Sequence, residues 1–142
     1  MGNAARTIEA WFKTTSTSVV YIASYGQESN DLSFNVGVGP TQIVLSTTFD
    51  DHTWNTHTLN DGNWHYIVIT YDGQNATAYV DGQSLGAQSY PTGLNTQSTG
   101  LTVACSIDGY YACFTGDLDE VALYSKVLTA TQVTAHYRAA GY

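Results

Sequence analysis

Asp61-Gly62-Asn63-Trp64-His65-Tyr66-Ile67-Val68-Ile69-Thr70-Tyr71-Asp72-Gly73 is a strand framed by two turns. Asp-Gly is a turn signal, and the run between the two turns is rich in β-branched and aromatic residues. The next segment repeats the pattern: Ala76 to Asp81 reads as a strand and Asp81-Gly82 as a third turn, giving an antiparallel meander. On the N-terminal side, Thr7 to Lys13 alternates with period two. Val19 to Tyr25, Leu32 to Val38 and Gln42 to Thr48 follow as short strands, divided by Gly26, Asn30-Asp31 and Gly39-Pro40. Thr53 to Leu59 is a polar strand or loop.

On the C-terminal side, Gly86 to Thr99 is poor in apolar residues and holds Pro91, so a surface loop is expected. Leu101 to Ser106 and Phe114 to Tyr124 are the last strands. Thr129 followed by Gln132 is a capping-box pattern, predicting one helix that runs to Arg138. Around ten strands and one short C-terminal helix predict an all-β, two-sheet antiparallel sandwich, with residues 1–142 as a single domain.

Composition narrows the partners. The 142 residues include four Lys+Arg against 12 Asp+Glu, a formal net charge of −8. Phosphate-rich nucleic acid and anionic membrane surfaces repel such a chain. No apolar run approaches the ~20 residues that a bilayer-spanning helix needs. Only 11% of residues are charged, which disfavours coiled coils and disorder. Neutral polar residues, twenty of them Thr, take the place of charge outside, as is common in secreted β proteins. The start, Met1-Gly2-Asn3-Ala4-Ala5, has neither the basic residues nor the apolar stretch of a signal peptide, and reads as a domain cut from a larger extracellular protein.

Cys105 and Cys113 flank Asp108-Gly109, a turn that would let them face each other across a hairpin. A disulfide is the expected state, with two buried free thiols as the alternative. Two cysteines at this spacing do not make a zinc site.

The segment 61–73 resembles the laminin-G-like branch of the concanavalin A-like lectin/glucanase superfamily, of the bacterial type. Thr7-Ile8-Glu9-Ala10-Trp11-Phe12-Lys13, Tyr79-Val80-Asp81-Gly82 and Gly116-Asp117-Leu118-Asp119-Glu120-Val121 through Tyr124 match in the family's order. So does the closing Leu128-Thr129-Ala130-Thr131-Gln132-Val133 with His136-Tyr137. The resemblance implies a jelly-roll sandwich with binding on the concave sheet or the loop rim. Family members usually begin with further residues, including a strand ahead of 7–13. Their absence here predicts an exposed sheet edge that either pairs in a homodimer or is covered by rearranged ends.

Strand parity then sorts candidate residues. With Ile8, Ala10, Phe12, Ile67, Ile69, Tyr71, Ala78, Val80, Val121 and Leu123 inward, the opposite face carries Glu9, Trp11, Trp64, Tyr66, Tyr79, Leu118 and Glu120. Aromatic rings stack on sugar C–H faces and carboxylates accept from hydroxyls, so Glu9, Trp11, Tyr66, Tyr79 and Glu120 are candidate glycan contacts. The competing reading packs Trp11 and Tyr79 beneath a covering segment. A second candidate is the rim: Trp54 with His52 and His57, and Tyr110-Tyr111 at the tip of the disulfide hairpin. Trp64 and His65 read as structural anchors.

The family often holds a structural calcium, for which Asp119 is the candidate ligand; no other cofactor is expected. Retaining hydrolysis needs paired carboxylates, and the Glu-x-Asp-x-Glu strand of the sandwich glucanases has no counterpart here. The expected function is a non-catalytic carbohydrate-binding module acting on a polysaccharide or glycan. A protein-binding adhesion module is the alternative, and a glycoside hydrolase using Glu9 and Glu120 ranks last.

Overall fold

The computed structural model describes residues 2–27, 29, 31–48, 50–97, 100–107 and 113–141. The elements in chain order are β1 (Arg6–Lys13), β2 (Val20–Gly26), β3 (Ser33–Gly39), β4 (Gln42–Ser46), β5 (His52–Asn55), β6 (His65–Tyr71), β7 (Asn75–Val80), β8 (Gln83–Ser89), β9 (Leu101–Val103), β10 (Asp117–Tyr124) and α1 (Ala130–Ala139). They form two five-stranded antiparallel sheets, ordered β10-β1-β6-β7-β8 and β5-β4-β3-β2-β9. This is the expected two-sheet sandwich with one short C-terminal helix.

The faces follow from period two. Ile8, Ala10 and Phe12 of β1 lie in register with Ile69, Ile67 and His65 of β6. Ile8, Ala10, Phe12, Ile67 and Ile69 pack against Phe34, Val36, Ile43 and Leu45 of the second sheet. Burying each such aliphatic or aromatic side chain contributes roughly 1.5–3 kcal/mol, so this layer dominates the stability.

Parity fails at one place. Glu9 pairs with Ala122 but Trp11 pairs with Asp119, so β10 has one extra residue opposite Ala10. Glu120 sits in the bulge at φ 50°. The bulge restores Leu118 to the core side with Val121 and Leu123, where a strict alternation from Val121 had placed it outside.

The 86–99 segment also differs from expectation, because its first part completes β8. Asp81 and Gly82 both have positive φ, 49° and 76°, which gives the primed turn that joins β7 to β8. Strand β8 is mostly exposed on both faces, so it has no hydrophobic alternation to announce it. Its edge meets β5: Trp54 Nε1–H donates to Gly86 O at 2.9 Å and Gln88 Nε2–H to Thr53 O at 2.8 Å. On the opposite side of the sandwich β9 and β10 are the edge strands. The charges of Asp117, Asp119 and Glu120 and the bulge blunt the edge at β10.

Cys105 and Cys113 are joined, with Cα atoms 4.0 Å apart. At the opening of β1, Arg6 is buried. Its guanidinium donates to Ala4 O at 2.9 Å and Thr96 Oγ1 at 2.7 Å, and lies 5.0 Å from the Tyr71 ring centre and 5.5 Å from that of Phe34.

Candidate functional site

The outer face of the first sheet is covered. Trp11, Tyr66, Val68 and Tyr79 pack beneath Leu128 and Val133, with Trp64, Tyr124 and Tyr137 around them. The helix forms because Thr129 caps it: its hydroxyl accepts from Gln132 N–H while the Gln132 side chain accepts from Thr129 N–H. Thr7 Oγ1 fastens the approach, donating to Lys126 O at 2.7 Å and accepting from Leu128 N–H at 3.0 Å.

This cover decides the standing of the parity-sorted residues. They do occupy one face, but Trp11 is 5%, Tyr66 2% and Tyr79 8% exposed, so their rings do not offer an open platform. Trp11 stacks on Tyr137 at 5.6 Å between ring centres. Glu9 is buried too, and its carboxylate accepts from Tyr66 Oη at 2.6 Å and Tyr124 Oη at 2.7 Å and pairs with His136 Nδ1 at 2.9 Å. Burial first, then the Glu9 bond, pushes the Tyr66 phenol well above its ordinary range. For Tyr124 the Glu9 bond is the main cause, and its pKa rises to about 12.

What stays open is the border of this cluster. Trp11, Trp64, Asp119, Glu120 and Ala140 line a groove of about 280 Å³. Four segments build it: Trp11 lies on β1, Trp64 precedes β6, the β10 bulge carries Asp119 and Glu120, and Ala140 caps α1. Asp119 Oδ1 accepts Glu120 N–H at 2.8 Å, which steadies the left-handed backbone of the bulge. Trp64 is half-buried and both acids are exposed, so part of an indole and two carboxylates face solvent together. That combination suits a polyhydroxylated ligand with an apolar face. The groove thus unites Trp11, Glu120 and Asp119 with Trp64, which sequence reasoning had set aside as an anchor.

The rim candidates separate. Trp54 is 4% exposed and belongs to the core, with its N–H spent on β8, so it is not a rim contact. Tyr110 and Tyr111 lie outside the described residues. Among the described residues, Asp119 does not converge with two other His, Cys, Asp or Glu side chains.

One group does converge. His57, His65 and Asp81 each direct one ligand-type atom to within 4.8 Å of the others. His65 Nδ1 is 2.9 Å from Asp81 Oδ2, and His65 Nε2 is 3.2 Å from Asp61 Oδ1. The bond to Asp81 holds the His65 imidazole above its ordinary pKa despite burial. Burial alone would raise Asp81, but His65 and the Tyr66 N–H bring it below the usual carboxylate range. Asn63 N–H and its side chain hold Asp61 at about 2.

A family model described as the concanavalin A-like lectin/glucanases superfamily matches residues 1–134. No curated protein matches the sequence significantly. A heptameric SAP-like pentraxin from Limulus polyphemus superposes with TM-score 0.74 at 16% identity, over 92% of this chain and 70% of its own. A candidate carbohydrate-binding protein from Bacteroides ovatus gives 0.74 at 19% identity, over 94% and 41%. Domain 4 of an extracellular arabinanase from Geobacillus stearothermophilus, in complex with arabinotriose, gives 0.71 at 16% identity, over 94% and 66%. At these identities the likeness is one of fold.

Proposed function

The chain belongs to the concanavalin A-like lectin/glucanase superfamily, and on that premise we propose that it is a non-catalytic carbohydrate-binding module of an extracellular protein. The groove of Trp11, Trp64, Asp119, Glu120 and Ala140 is the observation that carries the reading. A sugar ring laid against the exposed part of Trp64 presents its hydroxyls to Asp119 and Glu120, which can only accept hydrogen bonds when ionised. Such a site recognises a pyranose or furanose with an apolar face and adjacent hydroxyls. The Bacteroides and Geobacillus neighbours, described as a candidate carbohydrate binder and an arabinotriose complex, support the same class of ligand. The disulfide is compatible with an oxidising, extracellular setting.

For glycoside hydrolysis the demand falls on the carboxylates. Acid and nucleophile must both face one sugar, about 5–5.5 Å apart for retention. Glu9 has its oxygens occupied by Tyr66, Tyr124 and His136 under the helix, so it is not free to act as the partner of Glu120. A glycan array followed by affinity electrophoresis on the best polysaccharide tests the reading. Trp64→Ala and Glu120→Gln should each lose retention while keeping the native circular dichroism spectrum. Full retention by both variants, or release of reducing sugar by the wild type, overturns it.

A further inference from the structure

We propose that His57, His65 and Asp81 form a site for one divalent transition-metal ion, with Zn²⁺ as the ion that best suits the donors. Two imidazole nitrogens and a carboxylate oxygen make a borderline donor set, whereas Ca²⁺ and Mg²⁺ take oxygen. The three residues come from different segments: His57 from the 56–64 connection, His65 from the first position of β6, Asp81 from the β7–β8 turn.

The three ligand atoms lie within 4.8 Å of one another, a spacing one small ion can bridge. Metal–ligand bonds of ~2.0–2.2 Å place neighbouring ligand atoms about 3.3 Å apart. His57 Nε2 is 3.3 Å and His65 Nδ1 2.9 Å from Asp81 Oδ2. The His57 side chain is 56% exposed, so it can adjust its approach.

Two further contacts point the same way. Asp61 Oδ1 lies on His65 Nε2, so a carboxylate fixes the ring and leaves Nδ1 as the ligand atom, the arrangement that orients metal-bound histidines. Asp81 Oδ1 accepts Tyr66 N–H at 2.8 Å, so Oδ2 is the oxygen turned to both imidazoles. The other two histidines are engaged elsewhere, His52 with Asp50 and His136 with Glu9.

The test is calorimetric titration of chelator-treated, tag-free protein with ZnCl₂, together with imidazole NMR of the same samples. One equivalent should bind, and the His57 and His65 resonances should move while those of His136 stay. His57→Gln changes an exposed side chain and should weaken binding by at least about tenfold. Asp61→Asn should weaken it about 10–100-fold, as loss of an orienting carboxylate does. Zn²⁺ should raise the thermal midpoint of the wild type more than that of His57→Gln at the same metal concentration. No heat of binding with Zn²⁺ in excess, or equal affinity in His57→Gln, overturns the site and leaves an ion-pair cluster only. None of these readouts involves a glycan.

Discussion

Glu9 and His136 meet at 2.9 Å, Oε2 to Nδ1, although 127 positions separate them in sequence. The contact joins the second-sheet-distal face of β1 to α1, and the same carboxylate gathers the Tyr66 and Tyr124 hydroxyls. A buried carboxylate survives only with such donors, and each hydrogen bond to a charged group is worth roughly 1.5–3 kcal/mol. His136→Ala should therefore lower stability by about 1–2 kcal/mol in urea unfolding, since His136 is partly exposed and screened. Glu9→Ala should cost more, because the buried Tyr66 phenol and the half-buried Tyr124 phenol lose their acceptor at once. Equal midpoints for His136→Ala and wild type would show that the helix is held by Leu128 and Val133 alone.

The sandwich was legible because its strands carry period-two patterns and Asp-Gly turns. Core and outer faces of β1, β6 and β7 could be sorted by parity alone. Leu118 could not, because a single residue in the bulge at Glu120 reverses parity, and nothing local marks it. Strand β8 was hidden because an edge exposed on both faces has no apolar alternation. The site was half-legible: parity put Glu9, Trp11, Tyr66 and Tyr79 on one face, but only packing shows α1 lying on it. The His57–His65–Asp81 cluster joins three segments, and no sequence spacing announces such a meeting.

Arg6 was not singled out from sequence, yet it is 2% exposed and closes the N-terminal end of the core. Carbonyl and hydroxyl oxygens and three ring faces surround its charge, including the Tyr25 ring at 5.9 Å. A planar guanidinium can bond along its edges and stack on its faces together, and an ammonium cannot. Arg6→Lys should cost about 2–3 kcal/mol. Guanidinium chloride denaturation of the two proteins measures it, and a difference near zero would mean the rings accept any cation.

Trp11 and Trp64 should behave oppositely when truncated. Trp11 is buried against Tyr66 and Tyr137, with ring centres at 5.1 and 5.6 Å. Removing a buried indole costs about 3–5 kcal/mol, so Trp11→Ala should lose many degrees of thermal midpoint. Trp64 is half-buried on the groove, so Trp64→Ala should affect stability less and glycan retention more. Calorimetry and affinity electrophoresis on both variants separate the two roles.

Alkaline pH should unfold the protein through its buried phenols. Burial raises the Tyr25 pKa to about 12, partly offset by Arg6, and also raises those of Tyr71 and Tyr90. The Glu9 bond and burial do the same for Tyr124 and Tyr66. A folded-state pKa above the unfolded value means that the unfolded chain ionises first. The resulting stability is fully present below the ordinary tyrosine value of 10.0 and is lost as pH rises toward 12. For Tyr25 alone that is on the order of 3 kcal/mol. Absorbance of tyrosinate should therefore rise in two stages, exposed phenols first near their ordinary pKa, then the buried set together with loss of the near-ultraviolet circular dichroism. Tyr25→Phe, which removes the ionising group but keeps the ring beside Arg6, should move the second stage to higher pH. A single titration step centred on 10, with the tertiary signal intact, would contradict the burial of these hydroxyls.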